Sequence, residues 1–272
     1  MRSDDLVYDV GMHRGEDTAY YIAKGFRVVA FEANPELAAA GRERFTREIA
    51  DGRVVLVEGA IAATDEATIT FHRHPTESVW GTTDPSWAQR NAHLGESEPI
   101  TVPVVRFDQA LREHGIPWYL KIDIEGADRL CLRALAGFPD RPAYASIESE
   151  KQDWSALLEE FDLLGDLGFS RFAVQQQKGV SWRPATIHTR DGRDVGYRFE
   201  EGSSGPFGDD IDHWGDRADA LRRYRSIFRR YRVLGDESWF GGGAYRWQLL
   251  KAVEGVIKRP LPGWYDTHAT TL

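Results

Sequence analysis

The sequence predicts a doubly wound α/β fold with a mostly parallel sheet and a C-terminal cap, and three observations predict it. Short apolar runs of strand length alternate with stretches of helical periodicity from Val7 to about Gln177, an order that calls for parallel pairing through right-handed crossovers. The first apolar run passes straight into a turn bearing Gly11 and Gly15. The second closes on an acid, Glu32. The carboxyl ends of neighbouring strands are where such sheets bind ligands.

The elements follow in order. Val7 to Val10 (VYDV) is a strand, and EDTAYYIAKGF is a helix that Gly25 is placed to end. RVVAFEA is a second buried strand. NPELAAAGRERFTREIADG reads as one helix, with Asn34 at the N-cap and Pro35 at its first position. VVLVEGAIA is a third strand. ATITFHRH alternates like an edge strand, and Glu77 to Pro99, with Trp80 and Trp87, reads as a loop or lid. After the extended ITVPVVRF and the helical DQALREHG come a fourth buried strand, WYLKIDIEG, and its helix, ADRLCLRALAGF. YASIESE is a fifth strand, and DWSALLEEFDLLGDLGF a helix with Leu157, Leu158, Phe161 and Leu164 at helical spacing. SRFAVQQQ is a sixth strand. Beyond it, Asp219 to Val233 reads as a helix with Leu221, Tyr224, Phe228 and Tyr231 on one face and arginines on the other, and LLKAVEGVIK as a last short helix. The expected division is residues 1–179 as the ligand-binding domain, with a lid insertion at about 72–100, and 180–272 as a cap that selects the substrate or oligomerises.

With 272 residues and 42% hydrophobic content, one core with a modest cap is within reach. No apolar run approaches the roughly 20 residues of a membrane span. The opening MRSDDLVYDV lacks a basic-then-apolar signal pattern, so a cytoplasmic protein without membrane partners is expected. Cys131 is the only cysteine, which excludes an intramolecular disulfide and cysteine-based zinc sites, and its place between two leucines reads as core. A net charge of -9 disfavours long nucleic-acid tracking surfaces.

Asp9, Gly11 and Gly15 form D-x-G-x-x-x-G. Glycine permits the dihedrals of a tight turn and close approach of a ligand, and the following helix offers unpaired amide donors. Thr18 lies one turn into that helix and is placed to add a hydroxyl, while Glu32 is placed to accept ribose hydroxyls. Together these features favour a nucleoside ligand over a purely structural turn. The spacing differs from the G-x-G-x-x-G of dinucleotide sites. A pyrophosphate would sit badly beside Asp9, whereas the amino and sulfonium groups of S-adenosylmethionine are cationic.

These residues, in the segments VYDVGMHRGEDT, VVAFEANP, VEGAIA and above all LKIDIEGAD, resemble the FkbM-type methyltransferases, over roughly Leu6 to Glu150. The resemblance implies a Rossmann-like class I methyltransferase sheet, S-adenosylmethionine as methyl donor, and methylation of hydroxyl groups on sugars or natural products. It implies that Asp9, Gly11 and Gly15 line the methionine part of the donor, with His13 and Thr18 in the same turn. Glu32, with Ala33 beside it, would hold the ribose; Glu58, Gly59 and Ala60 would flank the adenine; and Ser78 would match a small-residue position that touches the donor. His13 stands where many relatives carry a small or amide residue. The first strand starts close to residue 1, so the lid or the cap is expected to close the site.

An alcohol acceptor must lose its proton, either to a side-chain base or with the help of a metal. Asp123 is the leading candidate, with Glu125 and Glu148 as further catalytic candidates. Asp123, Glu148 and Glu150 could converge as hard oxygen ligands for Mg²⁺ or another divalent cation. The plain alternatives are that Glu125 favours a helix N-terminus, that Glu148 and Glu150 pair with arginines, and that Lys121 is a structural ion pair. His72 and His74 read as a solvent-facing pair. Trp80, Trp87, Trp214, Trp239 and Trp264 fall in loops or the cap, where they serve either as platforms for sugar rings or as ordinary packing. Arg217, Arg222, Arg223, Arg225, Arg229, Arg230 and Arg232 read as a solvated face or as a site for an anionic substrate, a nucleotide-linked sugar or a partner subunit.

The function expected is O-methylation of a small, sugar-containing or anionic acceptor, by a chain that can form a homo-oligomer and does not bind nucleic acid. An NAD-dependent oxidoreductase and a non-catalytic, methyltransferase-like binding subunit are the alternatives.

Overall fold

The computed structural model describes residues 1–74, 81–83, 97–124, 126–149, 153–182, 184–234 and 264–272. In chain order the elements are β1 (Arg2–Val10), α1 (Glu16–Ala23), β2 (Arg27–Glu32), α2 (Pro35–Arg44), α3 (Thr46–Ala50), β3 (Val54–Glu58), β4 (Ala60–Ile61) and β5 (Thr68–Arg73). Then follow β6 (Glu98–Val105), α4 (Phe107–His114), β7 (Ile116–Ile122), α5 (Asp128–Leu135), β8 (Tyr144–Glu148), α6 (Trp154–Asp166) and β9 (Arg171–Gln176). The remainder is β10 (Ala185–His188), β11 (Asp194–Tyr197), α7 (Arg217–Leu234) and β12 (Tyr265–Thr270). Seven strands form the main sheet in the order β3-β2-β1-β7-β8-β12-β9, parallel except for β12, which runs antiparallel to both neighbours. This is the doubly wound, Rossmann-like arrangement that the sequence predicts.

Strand alternation sorts residues to the two faces of the sheet. Leu6, Tyr8 and Val10 of β1, Val29 and Phe31 of β2, and Leu120 and Ile122 of β7 enter one core with α4, α5, α6 and α7. Val7, Val28, Ala30 and Tyr119 enter the other, with Tyr20 and Tyr21 of α1 and Phe45. Cys131 is fully buried in the first core, as expected. Asn34 caps α2 by accepting from the Glu36 amide at 3.0 Å, with Pro35 behind it. Gly25 closes α1 at φ 91°, with the Phe26 amide on the Tyr21 carbonyl at 3.1 Å.

Three sequence readings change. The helix expected from Pro35 to Ala50 breaks at Phe45, because the Thr46 hydroxyl donates to the carbonyls of Arg42 and Glu43. The third strand divides at Gly59, whose φ of 141° and close approach to the Pro103 carbonyl turn the chain into the small sheet β4-β6-β5. His72 is half-buried and His74 buried, and Thr82 exchanges backbone hydrogen bonds with His72 at 2.8 and 3.1 Å. The expected helix LLKAVEGVIK, with Trp80, Trp87 and Trp239, lies outside the described residues.

The segment after residue 179 is woven into the rest. β12 supplies the sheet strand between β8 and β9, so the sheet draws on residues from both sides of that position. Ahead of α7, Phe207 is fully buried and stacks on Tyr119 with centroids 3.9 Å apart, inside a ring cluster with Tyr20, Tyr21, Phe26 and Trp118. Nearby, the buried Lys24 ammonium meets Asp210 at 2.5 Å. Among the described residues, no helix is long and apolar enough to cross a membrane. Phe207→Ala is expected to cost about 3–5 kcal/mol through the cavity it leaves, read as a lower urea midpoint, and to expose the neighbouring loop to protease; an unchanged midpoint would contradict this packing role.

Candidate active site at the carboxyl edge of the sheet

The turn between β1 and α1 is shaped by close contacts that only small residues allow. Gly11 has φ 89°, and a Cβ there would lie 1.9 Å from the Asp123 carbonyl oxygen. This packs the end of β1 against the end of β7, where the Asp123 amide donates to the Val10 carbonyl at 2.9 Å. Gly15, at φ 84°, caps α1, and a Cβ there would meet the Phe45 ring at 2.4 Å. Between them His13 takes φ 55°, a left-handed conformation that glycine and asparagine adopt at less cost. That conformation aims the His13 amide at Glu32 Oε2, 2.8 Å away, while the Asn34 amide donates to Glu32 Oε1 at 2.8 Å. The Glu32 carboxyl is thus fixed by two turns at once. Burial pushes it up to about 7, against the pull of those amides. Glu16 accepts from the Arg14 amide at 3.1 Å and lies 3.2 Å from His13 Nδ1.

Beneath the turn sits a buried charge cluster. Asp9 and Lys121 are register partners on adjacent parallel strands, on the face that carries α1. The Lys121 ammonium lies 3.3 Å from Asp9, 3.6 Å from Asp123 and 3.8 Å from Asp17, and donates to the Gly11 carbonyl at 2.8 Å. Burial works against this ammonium, but Asp9, Asp123, Asp17 and Asp266 outweigh it and hold its pKa well above the usual lysine value. Thr18 donates to Asp9 Oδ2 at 2.6 Å. Asp17 accepts the Ser204 amide at 2.9 and 3.1 Å, tying the C-terminal segment to the turn. Burial pushes Asp17 up to about 7, with Asp9 adding to the push and Lys121 opposing it.

Several expected site residues come together here. Asp9 and Thr18 are wholly buried and bonded to each other. The cationic partner of Asp9 is Lys121. Glu58 is the register partner of Glu32 and pairs with Arg42 at 2.7 Å, while Ala60 is buried in β4 and Ala33 is half-buried beside Glu32. Glu148 ends β8 opposite Asp266 of β12. Ser78, Glu125 and Glu150 lie outside the described residues. Among the described residues, no three His, Cys, Asp or Glu side chains are grouped to hold a metal ion. Sequence reasoning missed Asp266, buried and bonded by Gln177 Nε2 at 2.5 Å, whose pKa is raised well above the usual carboxylate range by burial and then by Asp123 and Glu148. The strand ends β3, β2, β8 and β12, and the residue just past β7, all carry acids: Glu58, Glu32, Glu148, Asp266 and Asp123.

Residues 9–171 match the family model described as the methyltransferase FkbM domain. The chain belongs to that family. No curated protein matches it. Among solved structures it is similar to a precorrin-8W decarboxylase from Methanobacterium thermoautotrophicum, at 16% identity over 72% of this chain and 78% of that one, with a TM-score of 0.36. It is also similar to a precorrin-6y C5,15-methyltransferase from Geobacter metallireducens, at 14% identity over 73% and 76% and a TM-score of 0.37. An O-methyltransferase from Bacillus cereus in complex with SAH matches at 13% identity over 71% of each chain, with a TM-score of 0.32.

Asp17 and Glu32 hold their protons more tightly folded than unfolded, so they stabilise the fold below their unfolded values, and that contribution fades as pH rises toward about 7. Asp17→Asn keeps an acceptor for the Ser204 amide but cannot ionise. Its stability relative to wild type should therefore rise by ~1 kcal/mol or more between about pH 4 and pH 7, measured by urea unfolding at each pH; a constant difference across that range would contradict the burial argument.

Proposed function

We propose that this FkbM-family chain transfers a methyl group from S-adenosylmethionine to a hydroxyl oxygen of a small acceptor, such as a sugar or a glycosylated natural product, with Asp123 as the residue that meets the acceptor. One observation carries the reading. Of the three carboxylates paired with Lys121, Asp9 and Asp17 are buried at 0% and 5% side-chain exposure, while Asp123 is 29% exposed at the carboxyl edge.

The donor set fits a cationic nucleoside. Lys121 is one ammonium against Asp9, Asp17 and Asp123, and the excess of carboxylate favours a positively charged ligand over a pyrophosphate. Glu32 spends one bond per oxygen on backbone amides. A carboxylate has about four acceptor sites, which leaves room for two ribose hydroxyls. The turn through Gly11, His13 and Gly15 presents backbone to the methionine part, and Ala33, Glu58, Gly59 and Ala60 lie at the neighbouring strand ends, on the adenine side. When bound, S-adenosylmethionine supplies a methyl group made electrophilic by its sulfonium.

The chain's own residues then have three tasks. Glu32 and the turn fix the donor. Asp123 accepts a hydrogen bond from the acceptor hydroxyl, orients it and takes its proton, a contribution of about 10²–10⁴-fold. Lys121, 3.6 Å from Asp123 and anchored on the Gly11 carbonyl, keeps that carboxylate in place relative to the turn. Lys121 also supplies the positive charge beside Asp123; a divalent cation on Asp123, Glu148 and Glu150 is the other way to supply it, and would make turnover sensitive to chelators.

Asp123→Asn should bind S-adenosylhomocysteine about as tightly as wild type and lose about 10²–10⁴-fold in kcat. Binding is read by calorimetry, and turnover by transfer of a labelled methyl group to an acceptor panel. Magnetic resonance of the product should place the methyl on oxygen. Full turnover by the variant, or a methyl group on nitrogen or carbon, would count against the reading.

A further inference from the structure

α7 carries arginines to the edge of the sheet that holds Asp123. The helix starts just after Gly215, which exchanges backbone hydrogen bonds with Phe172 near the opposite end of β9, both at 2.8 Å. Midway, the Tyr224 hydroxyl meets Thr267 at 2.8 Å. Further on, Phe228 packs edge-on against Trp154, the first residue of α6, with centroids 5.1 Å apart. A helix of 18 residues is about 27 Å long, enough to run the length of a strand and reach the carboxyl edge. There Tyr265 opens β12, opposite Gln176 and one residue before Asp266.

Two guanidinium groups bear on Tyr265. Burial raises the tyrosine pKa, and the nearby charges of Arg230 and Arg223 oppose it. A spacing of seven places Arg223 and Arg230 on one helix face. Both are exposed. Among the described residues neither has a carboxylate partner, unlike Arg217, which pairs with Asp162 at 2.6 Å, and Arg222, which pairs with Asp219. Two of the largest exposed apolar side chains stand at the same edge. Trp264, 45% exposed, precedes β12 and accepts the Gln177 amide at 3.0 Å; Trp182, 49% exposed, ends the short turn after β9.

We propose that Arg223, Arg230 and the Tyr265 hydroxyl bind a phosphate group carried by the acceptor, with its ring lying toward Trp264 and Trp182. Guanidinium groups match phosphate oxygens in geometry and charge, and exposed indole rings suit the faces of sugar rings. The acids at Asp123 and Glu148 repel an anion, so a phosphorylated acceptor is oriented from both ends: its phosphate is held on the α6–α7 side and its hydroxyl turned toward Asp123. The assignment rests on the methyltransferase reading for the identity of the ligand as acceptor, but not for the anion site itself.

The test is calorimetric titration of the protein, with and without saturating S-adenosylhomocysteine, with inorganic phosphate, glucose 6-phosphate and glucose. Phosphate and glucose 6-phosphate should bind, and glucose should bind at least about tenfold more weakly than its phosphate. The exposed-site variant Arg223→Gln/Arg230→Gln should lose ~10-fold or more for both phosphates and keep its affinity for S-adenosylhomocysteine. Equal binding of glucose and its phosphate, no phosphate binding, or unchanged phosphate affinity in the double variant would overturn the site. Failure of S-adenosylhomocysteine to bind would instead strike the methyltransferase reading, and the phosphate titrations alone would still decide the anion site.

Discussion

The structure turns on one buried ammonium. Lys121 sits among Asp9, Asp17 and Asp123 at the meeting of the two central strands, where removing charge from water is costly unless the charges satisfy one another. Because Asp9 and Lys121 are register partners, the pair fixes how β1 lies against β7. That registration brings Gly11 onto the Asp123 carbonyl and leads the chain into the tight turn that reaches Glu32. The same ammonium holds Asp123 at the rim. One ion cluster thus sets both the shape of the β1–α1 turn and the position of Asp123 at the carboxyl edge.

The C-terminal segment completes this arrangement. Ser204 bonds Asp17, Asp210 meets Lys24, Phe207 fills the aromatic cluster over β7, and β12 brings Asp266 beside Glu148. Each contact joins residues far apart in sequence. The segment therefore packs around the β1–α1 turn, while α7 runs toward the carboxyl edge of the sheet.

Much of the fold was legible because apolar period and turn chemistry agreed. The strand–helix order, the Asn34 cap and the Gly25 stop all follow from local residues. β12 was not legible: Tyr265–Thr270 is buried throughout yet alternates in no readable way, since Asp266, Thr267 and Thr270 are polar and bonded to groups distant in the chain, and His268 is buried beside the Tyr119 ring. The site was half legible. Gly11, Gly15, Glu32 and Asp123 could be found from their places at strand ends. The burial and pairing of Asp9 and Thr18 could not, because strand position says which edge a residue reaches but not whether a lysine from the next strand claims its charge. The signal for Asp9 was present in Lys121, two residues before Asp123, and needed only the register to be read.

The central claim is that Lys121 is required by the carboxylates it neutralises. The direct measurement is a thermodynamic cycle by urea unfolding on wild type, Lys121→Met, Asp9→Asn and the double variant. Lys121→Met should cost about 3–5 kcal/mol, the penalty for leaving buried carboxylates unpaired, and Asp9→Asn in that background should recover part of it. Additive losses with no recovery, or a Lys121→Met protein as stable as wild type, would contradict the account.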